Sequence, residues 1–521
     1  MLGNSMKSFV KKNRLFIAST VAMLAFYLWV AAQIPYTHDD WDWGLEVGMQ
    51  HLLKADINSR YVGNLIEVII TRSVILKTLI MGMILTLIPV SITIIVGKFI
   101  PKERKSSDLI KVSVFLFSNM MILLVPGDVW RQTNGWVAGF SNFVVSGLGL
   151  LLYLLFMIES DTYSNSPKWS LIKRIGLFVF GIVIQLFLEN LTVFFFLFSV
   201  IFLIAKRKQK GIAQHIIPLL LGNLLGLMIM FSSNIYSSLW NTGYAIGTYR
   251  HLMYDPAKPL YVFIAESGLR YIGVFLPQIV FHNGILIGCI AGMMAVVILM
   301  REKKRITELI LSAADIIFSI YYIFSYVKGN PCWDIHYDFG TIVFRPVITA
   351  IDCLFVALMI VEIILLFRTD RQLLTWLLVL WIIPFIIIAP MIMINTVGLR
   401  SFYTTDICFI LFGGMIFSYI ACKKQLYIVV LSILSLISVT VLGARWIKIY
   451  RPIGYHSRER ERMIETAVSN GDKQIIFSEY PNSDYLWLPD PSQKDPQRVP
   501  YFKEFYHIPE SVDIWFESWD K

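Results

Sequence analysis

The chain has 521 residues, 56% of them hydrophobic and only 16% charged, with a formal net charge of +10. Its mean hydropathy of +0.64 excludes an ordinary soluble globular domain. The positive charge does not point to nucleic acid, because Lys and Arg cluster in short loops between long apolar runs, as cytoplasmic loops of membrane proteins do.

Lys7, Lys11, Lys12 and Arg14 precede a first apolar run over 15–34. That run is longer than the ~7–15 residues of a signal-peptide core, so it predicts an uncleaved anchor with a cytoplasmic N-terminus. Val30 and Ala32, small residues ahead of a cut, are what fits the alternative of cleavage. The run exits into Pro35-Tyr36-Thr37-His38-Asp39-Asp40-Trp41-Asp42-Trp43-Gly44. Carboxylates this close repel one another beside low-dielectric lipid, and both effects raise at least one pKa towards the range a general base needs. An interfacial aromatic belt with solvated acids is the competing reading.

Residues 35–73 form a long polar loop containing Asn58-Ser59-Arg60-Tyr61-Val62-Gly63-Asn64, then Glu67 and Arg72. Apolar runs follow over 74–96, 112–125, 143–158, 175–188, 191–205 and 212–230, with Arg104, Lys173, Arg174 and Lys206 on the predicted inner side. Trp130, Arg131, Asn134 and Trp136 fall outside, and Glu189-Asn190 makes a tight outer hinge. That pair either caps two helices or binds a sugar hydroxyl. The run over 260–281 is interrupted by Glu266, Arg270, Pro277 and Gln278, which leaves crossing and re-entry both open.

Runs over 284–300, 306–327, 346–367, 373–394, 406–421 and 426–442 bring the expected count to about thirteen spans. A loop with Cys332, Trp333, Asp334, His336, Asp338 and Arg345, and the turn Gly398-Leu399-Arg400, are predicted outside. The fold class is therefore an all-α polytopic membrane protein, with a transmembrane domain over 1–444. A small extracytoplasmic α/β or irregular domain is expected over 445–521. Its aromatics, among them Tyr480, Tyr485, Trp487, Phe505, Tyr506, Trp515 and Trp519, serve its own core or line a sugar-binding surface.

The five cysteines form no CxxC pair and read as small core residues, so neither a disulfide frame nor a zinc site is expected. Transporters place ionisable residues inside spans near the midplane, but here only Asp315, Asp352 and Glu362 lie in apolar runs, without a paired pattern. Acids, arginines and aromatics gather instead in the predicted outer loops, which argues for a reaction or binding site at the outer interface. Arginine pairs with phosphate through a charge-assisted fork, so Arg60, Arg72, Arg131, Arg345 and Arg400 are candidates to hold an anionic lipid. Headgroup contact or snorkelling is the alternative for each. Asp40 or Asp39 is the candidate base, placed to take a proton from an acceptor hydroxyl. His38 has neither a metal partner nor a nucleophile at a useful spacing and reads as a bystander.

The set Asp39-Asp40-Trp41, Arg60-Tyr61-Val62-Gly63-Asn64, Glu189-Asn190-Leu191-Thr192, Gly398-Leu399-Arg400 and Tyr501-Phe502-Lys503-Glu504-Phe505-Tyr506 resembles the GT-C superfamily. Its members are polytopic glycosyltransferases that use polyprenyl-phosphate sugars. The layout is similar to bacterial members related to serotype-converting glucosyltransferases. The resemblance implies inverting transfer of a hexose from undecaprenyl phosphate to a cell-wall or surface glycan, at the outer face of the plasma membrane. It implies that an acid of the Asp39-Asp40 pair is the base and that arginines hold the lipid phosphate. Asp40 is the favoured base with Asp39 as its partner, and the extra acid Asp42 leaves open which carboxylate acts. Arg400 and Arg60 are the phosphate clamps, and Trp41, Asp42, Asn64 and Glu189 are further substrate contacts. No dedicated metal cage is visible, although an acid pair with a phosphate could recruit a divalent cation. The alternatives are a lipid-linked glycan transporter or flippase, and a glycan polymerase or ligase.

Overall fold

The structure, a computed structural model, describes residues 12–101, 103–104, 107–162, 171–209, 211–244, 251–254, 258–302, 305–328, 345–395, 397–491 and 497–519. The expected loop with Cys332, Trp333, Asp334, His336 and Asp338 lies outside these residues.

Ten helices among the described residues are long and apolar enough to cross a bilayer, or eleven if Asp108–Leu123 and Gly127–Thr133, bent by 92° at their junction, form one broken span. The chain is thus an all-α polytopic membrane protein. Every expected run is helical, but the count differs from about thirteen because some helices are too short to qualify. Leu171–Gln185, Glu189–Ala205 and Gly284–Leu299 have 15, 17 and 16 residues. The interrupted run forms Leu260–Ile279, 20 residues and long enough to cross. One of its polar side chains is met from a neighbouring segment: the Arg270 fork donates to the carbonyls of Ile392 (3.0 Å) and Ile394 (3.4 Å).

Without a hydrophobic drive between helices in lipid, close backbone approach at small residues becomes the packing device. Leu171–Gln185 and Ile212–Met230 cross in this way. A Cβ added at Gly222 would lie 2.1 Å from the Phe178 carbonyl oxygen, so only glycine permits that crossing. Helix ends are satisfied between elements too. The free amides of Leu15 and Phe16 on the first span donate to the Asp108 carboxylate, at 2.8 and 3.2 Å.

The helix Gln425–Asn470 has 46 residues. At 1.5 Å per residue it is roughly 70 Å long, more than twice the thickness of a bilayer core. The domain boundary expected at 444/445 falls inside this unbroken helix. Beyond it, Gln474–Ser478 and Asp513–Glu517 pair as two parallel strands, with Gln474 opposite Asp513 and Ser478 opposite Glu517. Arg460, 4% exposed, pins the strands to the long helix. Its guanidinium lies 3.9 Å from the Tyr480 ring centroid and pairs with Asp490 at 2.6 Å. A second tie joins this tail to the Gly127–Thr133 helix. Trp130 stacks on Trp446 at 4.1 Å and donates its indole N–H to the Tyr450 hydroxyl at 2.8 Å. The tail thereby comes to rest on the loop that follows the first span.

Candidate functional site

The acidic stretch begins with a backbone inversion. His38 has φ 49°, in the left-handed region, which turns the chain at once into the short helix Asp40–Gly44. The turn sends the three aspartates in different directions.

Asp40 points inward and is 0% exposed. Its carboxylate accepts from the amide of Thr37 at 2.8 Å and from the amide of Ala138 at 2.8 Å. Ala138 lies in the first turn of the span Val137–Asp161, so Asp40 caps that helix from a distant part of the chain. Burial pushes Asp40 up to about 8, against the amide hydrogen bonds that favour its ionised form. Both oxygens are occupied and no surface is open to a substrate. Asp40 is therefore an anchor, and the base role expected for it does not fit its position.

Asp39, with a side chain 28% exposed, faces the open side. It meets His38 Nδ1 at 2.6 Å and Arg498 Nη2 at 2.5 Å. Burial works to raise its pKa, but His38, then Arg498 and Arg400, outweigh it and hold the carboxyl well below the ordinary aspartate range. Asp42 takes the other arm of the same guanidinium, at 2.9 Å from Arg498 Nη1. Burial and then repulsion from Asp39 push Asp42 up to about 6, with Arg498 acting in the opposite sense. Arg498, on the short helix Arg498–Phe505 of the tail, thus forks across two of the three acids. Glu67 lies behind them, 1% exposed, and burial followed by repulsion from Asp40, Asp39 and Asp42 raises it well above the ordinary glutamate range.

Trp41 does not reach a ligand surface. It is 1% exposed, its indole N–H donates to the Tyr36 carbonyl at 3.2 Å, and its ring meets Phe502 edge-on at 5.1 Å. It holds the acidic helix onto the tail, and the substrate contact expected of it is corrected accordingly. Asn64 is likewise internal, 2% exposed, donating to Asn58 Oδ1 at 3.0 Å. The same Asn58 oxygen accepts from the Arg60 amide at 2.9 Å, so Asn64 shapes the turn that aims Arg60.

Arg60 and Glu189 form a forked ion pair, with Nη2–Oε2 at 2.8 Å and both Nε contacts at 3.2 Å. Glu189 also accepts the Tyr236 hydroxyl at 2.7 Å. The Glu189-Asn190 hinge is more than a cap: Glu189 orients an arginine, while Asn190 Nδ2 donates to the Ile387 carbonyl at 3.2 Å.

Arg400 sits on the turn Leu399–Phe402 at the start of the span Leu399–Ala421. Its guanidinium lies 5.4, 5.8 and 5.8 Å from the ring centroids of Trp136, Phe143 and Trp487. Arg60 faces the same Phe143 ring at 5.6 Å, and Arg131 faces Trp487 at 5.9 Å. Arg400, Arg60, Glu189 and Tyr236 line a small cavity together with the apolar side chains of Ile235, Leu239, Met391, Ile394 and Val397. Arg400 is thus common to the cavity and to the field acting on Asp39.

Of the arginines expected at the site, Arg60, Arg131 and Arg400 gather there. Arg72 does not: its fork donates to the carbonyls of Trp43 (2.9 Å), Val68 (2.7 Å) and Leu45. Sequence reasoning missed Arg498. Its only signal was that three clustered carboxylates require a cation, which lies 456 residues from Asp42. His38, read as a bystander, is the direct partner of Asp39.

A divalent cation between Asp39 and Asp42 does not fit this arrangement, because the Arg498 fork holds that position. Among the described residues no group of three or more His, Cys, Asp or Glu is placed to hold a metal ion. Compared with known families, with curated proteins and with solved structures, the chain matches none.

Proposed function

We propose that the protein is a membrane glycosyltransferase that moves a hexose from a polyprenyl-phosphate donor to a glycan acceptor. The observation that carries this reading is the mixed charged and apolar lining of the cavity at Arg400. Two arginines and one glutamate leave it one net positive charge beside an apolar wall. A polyprenyl-phosphate sugar is a phosphodiester with one negative charge and an apolar tail. Its phosphate suits Arg400, with Arg60 positioned by Glu189, while its first isoprene units suit Ile235, Leu239, Met391 and Val397.

Asp39, not Asp40, takes the base role in this reading, because it is the partly exposed carboxylate on which the charge of Arg400 acts. The acceptor hydroxyl gives its proton to Asp39 as its oxygen bonds to the anomeric carbon. The bond from that carbon to the phosphate oxygen breaks, the anomeric centre inverts, and Arg400 meets the charge on the departing phosphate. His38 and Arg498 keep Asp39 ionised and aimed. The basic loops support a cytoplasmic N-terminus with the acidic stretch and tail outside, and the reading takes the membrane to be a bacterial plasma membrane.

The test is transfer of labelled hexose from a synthetic polyprenyl-phosphate donor in membranes holding comparable amounts of wild type, Asp39→Asn and Arg400→Ala. Both variants should lose transfer, and near-normal turnover in either overturns its assignment. A second reading, transport of a lipid-linked glycan, draws on the acids buried within spans: Asp315, Asp352 and Glu362, each 0% exposed. It requires flux into proteoliposomes without a glycosidic product.

A further inference from the structure

The short helix Arg498–Phe505 touches the acidic stretch along its whole length. Arg498 at its start forks onto Asp39 and Asp42, Phe502 packs on Trp41, and Phe505 at its end meets Tyr36 edge-on at 5.3 Å. Seven residues of helix place its end roughly 10 Å from the fork. At that end lies a groove of about 640 Å³, open along one side. It runs between the long helix Gln425–Asn470, the tail and the turn before the span Val74–Val96.

The chemistry of the groove is uneven. Tyr36, Phe505 and Tyr506 supply ring surface, and Glu461 and Glu465, one turn apart on the long helix, supply carboxylates. Both glutamates are exposed, and no hydrogen bond or ion pair to either side chain occurs among the described residues. Of the cations near the groove, Arg72 directs its fork inward at the carbonyls of Trp43, Val68 and Leu45. Lys77, 4.6 Å from the Tyr36 ring centroid and in the field of Glu461, donates to the Ile34 carbonyl. A surface of aromatic rings beside carboxylates with no direct hydrogen bond among the described residues matches a ligand with apolar C–H faces and many hydroxyl donors. It disfavours an anionic ligand, which would meet two like charges.

We infer that this groove binds the glycan acceptor, a neutral or amino-bearing saccharide, and feeds its end to Asp39. The inference rests on the transferase reading for its role, while binding itself can be measured without transfer. A span of roughly 10 Å is about two sugar rings, so a chain seated in the groove extends to the acidic doublet along one helix. An acidic polysaccharide would be rejected by Glu461 and Glu465.

The experiment immobilises neutral, amino-bearing and acidic oligosaccharides and measures retention of the detergent-solubilised full-length protein. Four forms are compared: wild type, the pair Glu461→Gln with Glu465→Gln, Asp39→Asn, and Arg462→Gln as a control. The expected result is retention on a neutral or amino-bearing saccharide. It should weaken about tenfold or more in the glutamate pair, weaken less in Asp39→Asn, and stay unchanged in the control. Retention only on acidic saccharides, no retention on any, or retention indifferent to the glutamate pair overturns the inference. Groove-dependent retention in a protein that transfers no sugar sustains the groove and removes the transferase reading. Transfer that is lost in Asp39→Asn but indifferent to the glutamate pair does the reverse.

Discussion

Two groups of acids in this chain have opposite surroundings. After the first span, Asp39, Asp40 and Asp42 are met by donors: His38 and Arg498, two backbone amides, and Arg498 again. Within the spans Ile306–Val327 and Pro346–Phe367, Asp315 and Glu362 meet only each other, and no other partner for their four oxygens occurs among the described residues. Asp352 receives a single donor, the Tyr322 hydroxyl at 2.8 Å. Charge buried without donors costs several kcal/mol, whereas charge met by an arginine fork is held in place and aimed. In the first group Asp39 is held ionised at a partly exposed edge by His38 and Arg498, whereas Asp40 is buried on backbone amides. Among the described residues no cation is placed on the second group. That contrast is why the proposed chemistry lies with Asp39.

The largest expected effect tests that contrast directly. Asp39→Asn should lower transfer by about 10²–10⁴-fold, the range for loss of a general base. Asp315→Asn and Glu362→Gln should stay within a few-fold of wild type. A reversed pattern, measured at matched expression, gives the site to the membrane acids and favours transport. Next in size, Arg400→Ala should cost roughly 10²–10³-fold in turnover, as removal of a charge-stabilising donor does. Arg400→Lys should restore only part, because an ammonium lacks the planar fork. Full recovery with lysine would mean that charge alone matters there.

The helical membrane class was legible because apolar runs and basic loops are local signals. The span count was less so: Leu171–Gln185 and Gly284–Leu299 stop at 15 and 16 residues, and the exact ends of a helix within an apolar run are not set by hydropathy alone. Within the acidic stretch, composition drew attention to the right residues without separating their roles. Asp40 and Asp39 are adjacent in sequence, yet the left-handed turn at His38 sends one to the Ala138 amide and the other to Arg498. Trp41 reads as a belt residue until Phe502, from the far end of the chain, is packed on it. The pairing of Arg60 with Glu189 joins residues 129 apart, beyond any spacing argument. Long-range partners decide which charged residue remains available to a ligand, and those partners come from packing.

A third prediction separates anchoring from chemistry. Asp40→Ala leaves the amides of Thr37 and Ala138 without their acceptor, at about 1–3 kcal/mol for each if no water replaces it. Its thermal midpoint in detergent should fall while the surviving folded fraction still transfers sugar. A stable but inactive Asp40→Ala would return the base role to Asp40.

The smallest effect is a matter of pH. Asp42, raised to about 6, binds a proton in the folded protein at pH values where the unfolded chain has already lost it. Stability therefore falls as pH rises from about 4 to 6 through Asp42. Asp40, raised to about 8, adds a fall of the same slope that continues beyond 6, so the combined decline becomes shallower there. Asp39 has the opposite sign: its pKa is depressed, so its contribution is present above about 4 and is lost below that. The thermal midpoint of wild type should thus decline from pH 4, with a break near 6. Asp42→Asn should reduce the decline between 4 and 6 and remove the break, leaving the acid-side loss in place. The rate of transfer should show no limb near 6, because Asp39 stays ionised there. A rate that halves near pH 6 and loses that dependence in Asp42→Asn would move the base from Asp39 to Asp42, on the other arm of the same arginine.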